Sequence, residues 1–166
     1  MIPKAQCEKK TIIWPEYYPC SMTKLDTLLN DYAESHQNAL NKSIHYICVP
    51  LIYFSIVGML FDLKFMEWKG IEIRWVYFIL LLVMIYYARL KFQLMLVMLA
   101  FSLLCIGVNL YIASLNTMPS FYISLIVFVL AWIGQFYGHK VEGKKPSFLK
   151  DLQFLLIGPA WILWKR

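Results

Sequence analysis

The stretch Ile73-Arg74-Trp75-Val76-Tyr77-Phe78-Ile79-Leu80-Leu81-Leu82-Val83-Met84-Ile85-Tyr86-Tyr87-Ala88, the turn Arg89-Leu90-Lys91 and the run from Phe92 to Ala113 decide the fold. Each run approaches the roughly 20 apolar residues that a membrane-spanning helix needs. The first of the two is the shorter and borrows length from its aromatic flanks. On either side lie two more long runs, Ile44 to Leu63 with Pro50 and Gly58 inside it, and Ser120 to Tyr137. A further stretch, Phe154 to Trp164, is interrupted by Gly158-Pro159 and is too short to span. Near the start, Leu25, Leu28, Leu29 and Tyr32 recur at helical spacing behind a cap at Ser21 or Thr23. The expected fold is all-α. It is a polytopic membrane bundle of four transmembrane helices, with an N-terminal interfacial helix and a short C-terminal re-entrant or interfacial segment. One membrane domain covers 1–166: a polar arm and interfacial helix over 1–43, the four spans over 44–137, and a tail over 138–166.

Composition agrees. The chain is 60% hydrophobic and 16% charged, against about 25% charged in a soluble domain. Its first forty residues lack a basic segment leading directly into an apolar stretch and a cleavage site, so the first run is expected to act as an uncleaved insertion signal. The net charge of +6 gathers near the membrane ends. Basic residues there are a topology signal, and no basic run interleaves with aromatics, which argues against nucleic-acid binding. The N-terminal arm, the Arg89/Lys91 turn and the Lys140–Lys150 tail are then cytoplasmic, while the uncharged Asn116-Thr117-Met118-Pro119 turn lies opposite. The link from Lys64 to Arg74 carries both signs and is ambiguous. Four spans put both termini on the cytoplasmic side of the endoplasmic reticulum or of a bacterial inner membrane. Cys7, Cys20, Cys48 and Cys105 form no metal or disulfide pattern. Trp68, Trp75, Trp132, Trp161 and Trp164 read mostly as interface anchors. Homo-oligomerisation stays open.

The only histidines are His36, His45 and His139. They lie at or just beyond the ends of the long runs, and the topology brings them to one face of the membrane. Imidazole is the commonest neutral metal ligand, and imidazole with carboxylate suits iron(II). Three histidines, or two with Asp31, Glu34, Glu142 or Asp151, would leave coordination positions open. His36 and His45 are nine residues apart, about 180° apart on a straight helix. To share an ion they need a break between them. Asn38, Asn41 and His45 lie on one face, with Glu34 one turn earlier. That stripe can orient the ligands. The plainer readings are solvated interfacial histidines, helix caps at Asn38 and Asn41, a Gly134/Gly138 packing contact, and a turn carboxylate at Glu142 paired with lysine.

Two segments carry a resemblance. Tyr32-x-x-x-His36-x-Asn38-x-x-Asn41-x-x-x-His45-x-x-x-x-Pro50 is one. Trp132-x-x-Gln135-Phe136-x-Gly138-His139-x-x-Glu142-Gly143-x-x-Pro146, with Leu149 and Leu152, is the other. Together they resemble the signatures of the 2-hydroxy fatty acid dioxygenase family, small membrane proteins similar to the fungal endoplasmic-reticulum enzyme acting on 2-hydroxypalmitate and long catalogued as a domain of unknown function. The resemblance covers residues 30 to 160. It implies an iron(II)-dependent dioxygenase that uses O2 to shorten a 2-hydroxy fatty acid by one carbon, with Fe(2+) held by His36, His45 and His139. Glu34, Asn38, Asn41, Gln135, Glu142 and Lys140 are expected to orient the ligands or meet the substrate, whose carboxylate Lys140, Lys144 or Lys42 would attract. Cys48-Val49 departs from the family pattern, which commonly has glycine two residues before the proline. The competing reading is a non-catalytic membrane scaffold or lipid-binding protein of the same fold. Transport is disfavoured, since no acidic or basic residue lies deep in a run.

Overall fold

The computed structural model describes residues 23–34, 36–115, 119–143, 156–159 and 162. Its elements, in chain order, are α1 (Lys24–Glu34), α2 (Ala39–Asp62), β1 (Lys64–Trp68), β2 (Ile71–Arg74), α3 (Trp75–Leu90), α4 (Phe92–Ser114) and α5 (Ser120–Glu142). The arm with Cys7, Cys20 and Ser21, residues 116–118 of the uncharged turn, and the tail bearing Lys144, Lys150 and Asp151 lie outside the described residues.

Helix α1 begins as its sequence directs. Thr23 Oγ1 accepts from Asp26 N at 3.2 Å, and Asp26 Oδ2 accepts from Thr23 N at 3.0 Å. This reciprocal pair satisfies two donors that a helix start leaves open. The apolar stripe of α1 turns inward: Leu25 and Tyr32 are 3% and 1% exposed. Of the two settings open to an interfacial helix, packing against the bundle or lying on the lipid, this stripe takes the first.

Three helices, α2, α4 and α5, are long and apolar enough to cross a membrane. Their 23 or 24 residues extend about 35 Å, against a hydrocarbon core of about 30 Å. Helix α3 is apolar but has only 16 residues, about 24 Å. Helix formation also outruns the apolar runs. Helix α2 starts at Ala39 rather than near Ile44, and α5 continues to Glu142. His45 and His139 therefore both sit on helices.

The mixed-charge link after α2 is an antiparallel hairpin, which its charges had obscured. Trp68 pairs with Ile71, and the two residues between them, Lys69 and Gly70, have φ of 50° and 79°. Two successive left-handed residues match the twist of a two-residue hairpin. Glu72 joins the strands by accepting from Lys64 and, at 2.7 Å, from Arg74. These partners hold its carboxyl below the usual carboxylate range, first through the Lys64 bond and then through Arg74.

The core between α2, α3 and α4 gathers Tyr53, Val57, Phe61, Val76, Tyr87, Leu94, Met98 and Cys105. Helices α2 and α5 form the closest pair. A Cβ at Gly134 would stand 2.6 Å from Cys48 Sγ, and one at Gly138 would stand 2.4 Å from Asn41 Oδ1. Four residues apart on α5, these glycines let the two backbones approach as small-residue motifs do in membranes. Cys48, the departure from the family pattern, fills the groove opposite Gly134.

Gly134→Ala should destabilise the protein by about 1–3 kcal/mol through overpacking, while Gly107→Ala, with open space around it, should not. Adding Cys48→Ala to Gly134→Ala should restore most of the loss. Thermal unfolding in detergent reads all three, and equal melting temperatures would refute the close contact.

Candidate metal centre

Helix α1 ends at Glu34 and α2 starts at Ala39, so His36 falls in the connection. The connection is held locally. His36 N donates to Ala33 O at 3.1 Å. Asn38 adopts an extended conformation at the N-cap of α2, and its Oδ1 accepts from Leu40 N at 2.9 Å and Asn41 N at 3.4 Å. This is the break that the nine-residue spacing demands. It releases His36 from the opposite face and folds it back towards His45, in the second turn of α2. His139 arrives from the last turn of α5.

The three imidazoles meet. One ring nitrogen from each lies within 4.8 Å of the others. Ring centroids are 4.3 Å apart for His36–His45, 5.1 Å for His45–His139 and 5.8 Å for His36–His139. His36 and His45 are 2% and 3% exposed, and His139 is 9% exposed.

Tyr32 prepares two of these rings. Its carbonyl oxygen is 2.6 Å from His36 Nδ1. A carbonyl only accepts, so Nδ1 carries the proton and the lone pair of His36 is on Nε2. Its hydroxyl is 3.2 Å from His45 Nδ1, and its ring stacks on His36 at 4.2 Å. His45 Nε2 is buried with no hydrogen-bond partner among the described residues. Metal-binding histidines are arranged this way, one nitrogen engaged by a protein group and the other turned to the ion. The donor set fits a metal: neutral nitrogens, partly pre-oriented and largely shielded from water. In the sequence Tyr32 stands in the apolar stripe of the interfacial helix and opens the first signature, with no role assigned to its side chain. Its place one turn before His36 was the available signal.

Glu142 is the second organiser. Its carboxylate accepts from Gln37 N at 2.8 Å, from Asn38 N at 3.0 Å and from Asn41 Nδ2 at 2.9 Å. It ties the end of α5 to the His36 connection and to the N-terminus of α2, where a negative charge is favourable. Among the described residues the cluster holds three imidazoles and no carboxylate.

The other expected residues are distributed around this frame. Asn41 is fully buried against Gly138 and Glu142. Gln135, one turn before His139, is buried, whereas Asn38 and Lys140 are exposed. Glu34 ends α1, and its side chain lies outside the described residues, as does Asp151. Gly158 closes the site from the C-terminal segment: a Cβ there would stand 2.9 Å from Val49 and 3.4 Å from the Tyr32 hydroxyl. Tyr87 anchors the same segment by donating to Leu156 O at 2.7 Å.

Fold and site together define a small bundle of apolar helices with a tri-histidine centre at one end. The chain belongs to the Mpo1-like family, described as 2-hydroxy-palmitic acid dioxygenase Mpo1-like, which it matches over residues 22–165. No curated protein and no solved structure is significantly similar to it.

Tyr32→Phe keeps the carbonyl lock on His36 but removes the hydroxyl from His45. Metal affinity should fall about 10–100-fold, measured by chelator competition. Unchanged affinity would show that the hydroxyl does not orient His45.

Proposed function

We propose that this protein crosses the membrane four times, holds one iron(II) at His36, His45 and His139, and catalyses α-oxidation of 2-hydroxy fatty acids. The observation that carries this reading is the convergence of three imidazoles from three separate segments, in a chain of a family described by that chemistry. A metal-free scaffold would leave His45 Nε2 buried and unsatisfied, at a cost in free energy with no return.

The overall balance is one 2-hydroxy acid and one O2 giving the acid one carbon shorter, CO2 and water. When bound, iron(II) supplies the redox chemistry that lets O2 react with the carbon bearing the 2-hydroxyl group. The chain supplies the rest. The Tyr32 carbonyl holds the proton of His36 on Nδ1, and the Tyr32 hydroxyl fixes the orientation of His45. Glu142 keeps the His36 connection docked on α5. Gly158 and the stacked Tyr32 ring exclude water from one side. Lys140, exposed in the last turn of α5, attracts the substrate carboxylate to the membrane edge. The acyl tail then lies along the apolar flanks of α2 and α5 within the bilayer. In this arrangement both termini are cytoplasmic, and α3 reaches across with help from the hairpin and its aromatic flank.

Iron(II)-loaded protein supplied with O2 should convert 2-hydroxypalmitate to the acid one carbon shorter, followed by mass spectrometry. Alanine at His36, His45 or His139 should lower the rate by more than about 100-fold, beyond the loss expected from a ligand's hydrogen-bond partner. Turnover that survives any one of the three replacements would remove that residue from the centre.

A further inference from the structure

Gln135 lies on α5 one helical turn before His139, on the side of the centre towards the middle of this apolar helix. Its side chain is 6% exposed, and its Oε1 has no hydrogen-bond partner among the described residues. A buried carboxamide oxygen without a donor is costly, and more so where hydrocarbon replaces water. Trp132 Nε1, three residues earlier on α5, is likewise buried without a partner among the described residues, while other polar groups of the centre have partners of their own. Asn41 donates to Glu142, and the Nδ1 atoms of His36 and His45 pair with Tyr32. Helical side chains lean towards their own N-terminus, which carries the Gln135 amide from the level of His139 towards the membrane interior. On the four-span reading proposed above, an acyl chain entering from the bilayer reaches the histidines past this level of α5.

We propose that Gln135 is a specificity-determining residue, whose Oε1 accepts a hydrogen bond from the 2-hydroxyl of an acyl ligand with its carboxylate at the tri-histidine centre. The identity of the ligand rests on the proposed function. The selectivity follows from the unpaired acceptor. A 2-hydroxy acid satisfies it, whereas an unsubstituted fatty acid leaves it buried and unpaired, and sites built to bond a substrate hydroxyl reject the analogue lacking it for that reason. The acceptor also predicts a finer distinction. A 2-methoxy acid has an oxygen at the same carbon but no proton to donate, so it gains nothing from Gln135.

Binding of palmitate, 2-hydroxypalmitate and 2-methoxypalmitate to the full-length, iron(II)-loaded protein in detergent tests this. Displacement of a fluorescent fatty acid without oxygen reads affinity rather than turnover. The wild-type protein should prefer the 2-hydroxy acid to both others by about tenfold or more. Gln135→Met should abolish that preference, leave palmitate binding unchanged and keep the wild-type iron content. A wild-type protein that fails to distinguish the hydroxy from the methoxy acid overturns the proposal, whether or not the variant folds. A Gln135→Met protein that keeps the preference also overturns it. Either result leaves the α-oxidation reading to stand on its own product assay, whereas a wild-type protein that binds none of the three acids sinks both.

Discussion

The Glu142 carboxylate is the interaction on which the rest of the site depends. His36 lies between two helices, and His139 lies at the far end of the chain's last long helix. Nothing in the covalent structure brings them together. Glu142 accepts from the backbone of Gln37 and Asn38 and from the Asn41 amide, three donors that the start of α2 would otherwise present to water or leave open. One carboxylate thus fixes where α5 ends relative to where α2 begins. Gly138 allows the same approach one turn earlier, by leaving room for the Asn41 amide. With α2 and α5 held in this register, His45 and His139 face each other, and His36 is folded over them.

Tyr32 completes the frame from the other side. A single residue gives its carbonyl to one imidazole, its hydroxyl to the second and its ring face to the first. His36 therefore has defined roles for its two nitrogens before any ion arrives, and His45 is held in orientation by the Tyr32 hydroxyl. Pre-orientation of this kind lowers the entropy lost when a ligand set closes, and it links α1, the least membrane-like helix, directly to the chemistry. The C-terminal residues Ile157 and Gly158 pack against Tyr32, so both ends of the described chain bear on one residue.

Much of this was legible in the sequence, and the rest was hidden for physical reasons. The apolar runs revealed the long helices because hydrocarbon tolerates little else over that length. The nine-residue spacing of His36 and His45 demanded a break, and the structure has one there. Hydropathy does not mark helix ends, however. Helices α2 and α5 extend past their apolar runs, because caps and side-chain bonds, here Asn38 and Glu142, sustain helix beyond the hydrocarbon. The hairpin was masked by the mixed charges between Lys64 and Arg74, although Lys69-Gly70 between two aromatic-rich stretches was a turn signal. Glu142 was ambiguous because its partners lie more than a hundred positions away, a distance at which no local pattern speaks. Gly134 and Gly138 were readable as a packing pair, but which helix they face required the fold.

The proposed metal centre joins three imidazoles from three separate segments on one ion. Its most direct measurement is X-ray absorption at the iron edge of protein loaded anaerobically with iron(II), joined to metal stoichiometry. One iron per chain with a three-imidazole scattering signature is expected, falling to two imidazoles or to loss of the metal when His36, His45 or His139 is replaced by alanine. Iron bound without imidazole scattering, or a spectrum unchanged by any of the three replacements, would contradict it.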